Sequence, residues 1–215
     1  FAVGSITGSS PSFFPAMSSP FPDIAVSAPL AGALVLVVGP SGAGKDTLMD
    51  AARAELAGDG RFHFARRLIT RPAMAGAEDH DSCDEAAFGE AEAKGDLALS
   101  WRAHGLSYGI PATELAGLAE GGVVIANISR QAIPAAERLA ERVLVITITA
   151  PVAVLAKRLA ARGRESEADI AARLAREAPL ATRRAQTVTI LNDRSIAEAS
   201  AELLAVLRAL GPRRG

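Results

Sequence analysis

Residues 34–47 read Leu-Val-Leu-Val-Val-Gly-Pro-Ser-Gly-Ala-Gly-Lys-Asp-Thr, and no other stretch constrains the fold as much. The apolar run Leu34–Val38 has the form of a buried strand. It feeds a glycine-rich turn, Gly39 to Gly44; Lys45 follows, and an alanine-rich helical pattern begins. Glycines let backbone N–H groups converge on an anion with no Cβ in the way, and a helix N-terminus adds partial positive charge. Strand, G-x-x-x-x-G-K turn and helix in this order cradle nucleotide phosphates, with Lys45 reaching the β- and γ-phosphates. Gly39, Pro40, Ser41, Gly42, Ala43, Gly44, Lys45, Asp46 and Thr47 are therefore candidate ATP-binding residues. An ordinary strand–helix turn is the weaker reading, because it leaves a lysine at this offset unexplained.

The residue after the lysine is usually Ser or Thr, whose hydroxyl holds Mg2+. Here it is Asp46, with Thr47 one place later. A carboxylate is also a hard oxygen ligand suited to Mg2+, so Asp46 is a candidate metal residue, directly or through water. An acid in the first turn also complements the helix dipole, and the sequence leaves both roles open.

At 215 residues the chain fits one domain with small inserted lobes. Hydrophobic residues make up 49% and charged residues 22%, enough to bury a core. A net charge of −1 lacks the basic surplus that non-specific nucleic-acid binding needs. No apolar run is long enough for a membrane span. One cysteine, Cys83, excludes an intramolecular disulfide and fits a reducing, cytoplasmic setting. Residues 1–30 are rich in Ser, Pro and Gly with almost no charge, and no basic segment precedes an apolar one. They read as a disordered leader rather than a secretory signal, with Met17 a candidate natural start.

From residue 31 to about 212 the pattern alternates strand and helix as one domain. Strands are expected at Leu34–Val38, Val123–Ile128, Val143–Thr149 and Thr187–Leu191. Helices are expected at Lys45–Leu56, Glu85–Lys94, Gln131–Ala140, Val152–Ala161, Glu167–Glu177 and Ile196–Leu210. Near-continuous apolar strands alternating with helices indicate an α/β fold, a parallel sheet covered by helices on both faces. Between about 62 and 112 the alternation breaks: Phe62–Ile69 looks extended, Gly76–Cys83 a polar loop, Leu97–Trp101 extended and His104–Pro111 turn-rich. That region is the expected substrate lobe. Residues 160–178 are the expected lid.

Three segments place arginine beside glycine or a helix end. One runs from Arg66 and Arg67 to Arg71, another from Ser100 to Pro111, and the third from Lys157 to Arg176. Arginine suits bidentate phosphate recognition. Solvated helix faces with i, i+4 pairs would explain any one cluster; a phosphate-binding loop in the same chain favours phosphoryl transfer, which needs positive charge on the moving group and the acceptor. His80 and His104 lack metal-ligand spacing and read as polar loop residues or contacts to a sugar or phosphate. Trp101 reads as lobe packing rather than a sugar-stacking platform.

The layout from Leu34 to Leu210 resembles guanylate kinases, with their T-R-x-P-R-x-G-E, Y-G, L-D-I-D-x-Q-G, R-L-x-x-R-G and N-D elements. Counterparts are Thr70-Arg71 and Gly76, Tyr108-Gly109, Gln131, Arg158-Leu159 with Arg162-Gly163, Arg173-Leu174, and Asn192-Asp193. The departures are informative. The second arginine of the first element falls near Met74, the guanine-reading glutamate near Leu99, and the L-D-I-D acids at Asn127 and Ser129. A guanine with unpaired donors is a costly mismatch, so GMP is a poor acceptor candidate.

A closer resemblance, to the ribose 1,5-bisphosphate phosphokinase family of phosphonate catabolism, accounts for these changes together. It rests on G-P-S-G-x-G-K-D (Gly39–Asp46), I-T-R (Ile69–Arg71) with A-G-x-E-x-H (Ala75–His80), L-S-W-x-A-x-G-L-x-Y-G (Leu99–Gly109), N-x-S-R (Asn127–Arg130) and R-G-R-E (Arg162–Glu165). The resemblance implies ATP-dependent phosphorylation of ribose 1,5-bisphosphate to phosphoribosyl diphosphate, with Mg2+. It places Lys45, Arg162 and Arg173 as catalytic, and Arg67, Arg71, Tyr108, Asn127, Ser129, Arg130 and Arg164 at the acceptor. Asn192 and Asp193 would lie near adenine. Implied partners are the two small substrates, without nucleic acid or membrane. A phosphate monoester carries about −1.5 to −2 charge near pH 7, so its oxygen needs no general base. Rival readings are a nucleoside monophosphate kinase of altered base choice and a catalytically silent interaction module, which would tolerate loss of Lys45 and the lid arginines.

Overall fold

The computed structural model describes residues 30–71, 80–161 and 180–210. In chain order the elements are β1 (Leu30–Val38), α1 (Lys45–Leu56), β2 (Phe62–Phe64), β3 (Arg67–Ile69), β4 (His80–Ser82), α2 (Glu85–Lys94), β5 (Leu97–Ala103) and β6 (Leu106–Pro111). A 3₁₀ helix (Ala112–Leu118) follows, then β7 (Val123–Asn127), a 3₁₀ turn (Arg130–Ala132) and α3 (Ile133–Ala136). The chain continues through β8 (Ala140–Thr149), α4 (Val152–Ala160), β9 (Gln186–Leu191) and α5 (Ile196–Arg208). Residues 1–29 of the expected leader and 162–178 of the expected lid, with its Arg162, Arg164 and Arg173, lie outside the described residues.

Strand β1 is central because it is apolar on both faces. It pairs in parallel with β7 and β8 in a five-stranded sheet ordered β2-β7-β1-β8-β9, every neighbour parallel. Ala33, Val35 and Val37 enter one buried cluster, and Leu34, Leu36 and Val38 the other. On the first face Leu48, Met49, Ala52 and Leu56 of α1 and Ala199, Leu203, Leu204 and Leu207 of α5 meet the sheet, at the spacing of one helical face. Each such fully buried Leu or Val is worth about 1.5–3 kcal/mol over exposure. Ser195 and Glu198 start α5 with a reciprocal capping box.

The second face is covered by shorter pieces: the 3₁₀ helix, α3, and residues of a second sheet. That sheet is ordered β4-β3-β6-β5, with β3–β4 parallel and the other pairs antiparallel. Leu99, Trp101 and Ile110 carry it onto the main core, so the lobe is packed against the parallel sheet.

Several boundaries differ from the sequence expectation. Phe62–Ile69 is two strands in two sheets, because Phe62–Phe64 pairs with β7 whereas Arg67–Ile69 pairs with β4 and β6. Part of the expected polar loop is β4. The turn-rich stretch is the second arm of a hairpin. His104 and Gly105 both have positive φ, 52° and 74°, the geometry of a tight two-residue turn matched to strand twist. The expected helix 131–140 is reduced to a 3₁₀ turn and α3, because Ala140 is drawn into pairing with Leu30.

Glu137 explains how the chain re-enters the sheet after residue 179. It is 3% exposed, and its carboxylate accepts from the backbone N–H of Arg183, Arg184 and Ala185 at 3.0–3.2 Å. Arg184 donates back to the Glu137 and Ala140 carbonyls. Burial opposes the charge, but the three backbone N–H groups and the Arg184 guanidinium outweigh it and hold the carboxyl below its ordinary 4.5. A carboxyl depressed in the folded state stabilises above its unfolded pKa and loses that contribution as pH falls through the folded value. Glu137→Gln is expected to lower stability near neutral pH by about 1–3 kcal/mol. Its loss on acidification below pH 4.5 should be shallower than in the parent, read as melting temperature against pH.

Candidate active site

The phosphate loop joins β1 to α1 at the C-terminal edge of the parallel sheet, where ligands of such sheets bind. Its shape is forced by close backbone approaches. Gly39 has φ 148°, and a Cβ there would collide with the carbonyl oxygen of Ile148 on β8. Gly44, the N-cap of α1, has φ 86°, and a Cβ would strike the Asn192 amide. Both positions need glycine. Ala43 N–H bonds to the Pro40 carbonyl at 3.2 Å and closes the turn. Lys45 opens the helix and its Nζ donates to Gly39 O (3.0 Å) and Pro40 O (3.1 Å), lying across the loop.

The loop is also braced from behind. Buried Asn192, just past β9, donates its amide to Ala43 O at 2.7 Å. Arg158 of α4 donates to Asn192 O at 3.0 Å and to Gly42 O at 3.5 Å. Arg158, which the sequence groups with the phosphate-binding arginines, and Asn192, which the resemblance sets near adenine, both contact the loop backbone. Asp193, next in the chain, is exposed. No local pattern signals the brace, since Asn192 and Ala43 are 149 residues apart. Among the described residues the exposed large hydrophobics are Val152 at the start of α4, Leu191 at the end of β9 and Ile196 at the start of α5.

In front of the loop, Asp46 Oδ1 accepts from Asn127 Nδ2 at 2.9 Å and lies 3.7 Å from the Arg67 guanidinium. One side chain comes from the start of α1, one from the end of β7 and one from β3 of the lobe, so this contact joins all three parts. The Asp46 side chain is 41% exposed, and its other oxygen makes no hydrogen bond among the described residues. An accessible hard-oxygen donor beside the loop fits Mg2+ held jointly with nucleotide phosphates. Thr47 is exposed one residue on. No group of three or more acidic, His or Cys side chains that could hold a metal alone occurs among the described residues.

The acceptor candidates gather around the lobe. Ile69 pairs with Tyr108 across β3 and β6, which sets Arg71 and Tyr108 near one end of the lobe sheet. Thr70 Oγ1 donates to Glu85 (2.7 Å), Ser107 Oγ donates to the same carboxylate (2.9 Å), and Ser107 N–H donates to Thr70 Oγ1 (2.9 Å). The Thr70 and Ser107 hydroxyls hold the Glu85 carboxyl below its usual range. Tyr108 is half-buried and stacked on buried Trp101, with ring centroids 5.5 Å apart. Trp101 is thus packing, as the sequence favoured. Ser129 and Arg130 follow β7 into the 3₁₀ turn, and Gln131 donates to the Arg102 carbonyl of β5, holding that turn against the lobe. Leu99, at the place of the guanine-reading acid, is 6% exposed in the core. Glu92 does reach this strand, but Ser100 (2.5 Å) and Arg102 (3.1 Å) hold its carboxylate. His104 is an exposed hairpin-turn residue, and His80 lies on β4, paired in register with Arg67.

A family model described as an AAA domain matches residues 35–177. Ribose 1,5-bisphosphate phosphokinase PhnN of Methylobacterium radiotolerans is 54% identical over 178 residues, covering 83% of this chain and 98% of that protein. The protein of the same name from Brucella melitensis is 56% identical over 161 residues, covering 75% and 84%. Among solved structures, a guanylate kinase from Anaplasma phagocytophilum superposes with a TM-score of 0.61 at 19% identity, over 84% of this chain and 87% of that one, which shows a shared fold.

If Asn192 holds the loop in shape, Asn192→Ala should cost about 1–3 kcal/mol by stripping a donor from a buried carbonyl, and it should also weaken ADP binding. A lowered melting temperature with unchanged ADP affinity, by calorimetry, would make the contact purely structural.

Proposed function

The chain belongs to the ribose 1,5-bisphosphate phosphokinase family, and on that premise we propose that it transfers the γ-phosphoryl group of ATP to the 1-phosphate of ribose 1,5-bisphosphate. The products are 5-phosphoribosyl 1-diphosphate and ADP, and the reaction belongs to phosphonate breakdown. The observation that carries the substrate choice is the lobe. The guanine-reading acid falls near Leu99, which is buried in the core, while Arg67, Arg71, Arg130 and Tyr108, on or beside the lobe strands, are the groups proposed to meet a phosphorylated sugar.

An oxygen of the 1-phosphate attacks the γ-phosphorus, and the bond from that phosphorus to the β,γ-bridging oxygen breaks. Both partners are anionic, so the protein's work is alignment and charge neutralisation. Lys45 leaves the loop carbonyls for the β- and γ-phosphates, and the N–H groups of Gly42 to Asp46 surround the β-phosphate. Mg2+, bound with the nucleotide, would draw charge from the β- and γ-oxygens, and Asp46 is the residue to hold it, directly or through water. Arg71, Arg130 and Tyr108 hold the acceptor with Arg67, Asn127 and Ser129 at its edge. By resemblance to the family's motifs, Arg162, Arg164 and Arg173 supply positive charge to the transferring group. Asn192 and Asp193, just past the exposed Leu191 at the end of β9, border the adenine. A cytoplasmic setting goes with the proposal, supported by the use of ATP and by a single free cysteine, Cys83.

The decisive experiment offers ribose 1,5-bisphosphate, GMP, AMP, dTMP and CMP with Mg·ATP and follows products by mass. Phosphoribosyl diphosphate should form, with GMP at least about a hundredfold worse by kcat/KM, the scale expected when hydrogen-bonding groups are left unpaired. Comparable turnover of GMP would restore the nucleoside monophosphate kinase reading. Lys45→Ala should keep its fold and lose about 10²–10³ in rate; near-parental turnover would remove the kinase assignment.

A further inference from the structure

Two departures from the usual phosphate-loop pattern meet in one hydrogen bond. Kinases of this kind hold the metal with a hydroxyl after the loop lysine and an acid at the end of a neighbouring strand. Here the hydroxyl position is Asp46, and the acid position at the end of β7 is Asn127. The two side chains are 81 residues apart in sequence and bonded at 2.9 Å. Each arrangement has one negative charge and one neutral donor. Only the element that carries the charge differs.

We propose that Asp46 and Asn127 are a charge-exchanged pair, with the metal-side carboxylate moved from β7 to the phosphate-loop helix and Asn127 as the positioning residue that acts through it. The Asn127 amide holds Oδ1 and leaves the second oxygen accessible. Residue 127 must then be neutral: an acid there would set two carboxylates within hydrogen-bond distance, and one would have to take up a proton. The pairing also reads backwards. Thr at 46 could donate its hydroxyl to Asp at 127, giving the same contact with donor and acceptor reversed. Moving the charge to Asp46 puts it 3.7 Å from Arg67, so the metal-side acid is at the same time the counter-ion of a lobe arginine.

This inference rests on the reading that the donor is a Mg·nucleotide, and binding rather than turnover tests it. The ratio of Mg·ADP to metal-free ADP affinity is measured by calorimetry for the parent, Asp46→Thr, Asn127→Ala and Asp46→Thr/Asn127→Asp, with melting temperatures alongside. Asn127→Ala should lower the ratio by about tenfold or more, the usual cost of losing a group that orients a metal-holding residue, with metal-free ADP affinity unchanged. Asp46→Thr should lower it at least as much, and the double variant should regain most of the loss. A folded double variant no better than Asp46→Thr, or a parental ratio in Asn127→Ala, would overturn the exchange. A parent that binds ADP equally with and without Mg2+ would instead overturn the metal reading beneath it. If the double variant fails to melt cooperatively, the Asn127→Ala ratio decides alone.

Discussion

The contact on which the rest depends is the approach of the Gly39 backbone to the Ile148 carbonyl of β8. Because β1 and β8 are adjacent and parallel, with Val38 opposite Thr147, the chain leaves β1 beside a neighbouring strand and must turn sharply to start α1. A side chain at 39 has no room there. In the turn that results, the carbonyls become the handles by which other residues fix the loop. Lys45 takes Gly39 and Pro40 from the front; Asn192 takes Ala43 and Arg158 reaches Gly42 from behind. The loop backbone is therefore held by its own contacts before an anion arrives, and Lys45 has to shift from the loop carbonyls to the phosphates.

Charge is distributed by the same economy. A reaction between two phosphates brings several negative charges together, and the carboxylates of Asp46, Glu85 and Glu92 each have a polar partner. Asp46 has Asn127 and Arg67, Glu85 has two hydroxyls, and Glu92 has Ser100 and Arg102. Glu137 sits on backbone N–H groups where the chain returns to β9. None of these groups forms a carboxylate pair sharing a proton, the usual mark of general acid–base work. That agrees with an acceptor whose oxygen is already ionised.

Legibility in the sequence followed the range of the interaction. Helices α1 and α2 were readable to the residue because their ends are local: Gly44 and Gly95 take left-handed conformations, and Asp84 caps α2 by accepting from Ala87 N–H. The core of the parallel sheet was readable because a strand buried on both faces is continuously apolar. The lobe was harder. His104 at φ 52° is not a residue that announces a hairpin turn, and the three-residue strands β2, β3 and β4 are too short for periodicity to show. In the site, Lys45 and its glycines were visible from spacing, whereas the Asn192 brace and the Asp46–Asn127 bond join residues 149 and 81 positions apart. Asp46 and Asn127 each looked like an isolated departure, and Asn192 like part of an N-D element, until the fold put them against their partners.

The lobe's packing shows why acceptor choice can change while the kinase frame stays. Leu99 and Trp101 alternate with Ser100 and Arg102 along β5, the first pair buried in the main core and the second reaching Glu92. An acid at 99 would be buried among Leu34, Leu36 and Ile110, where an unpaired carboxylate costs several kcal/mol. A base-reading acid cannot return at that position without turning the strand over, because a one-residue slip exchanges its faces. The register of β5, as well as the residue at 99, therefore keeps a carboxylate out of that position. The candidate acceptor arginines escape that constraint, because Arg67 is on β3, Arg71 just past it and Arg130 in the 3₁₀ turn after β7, outside β5.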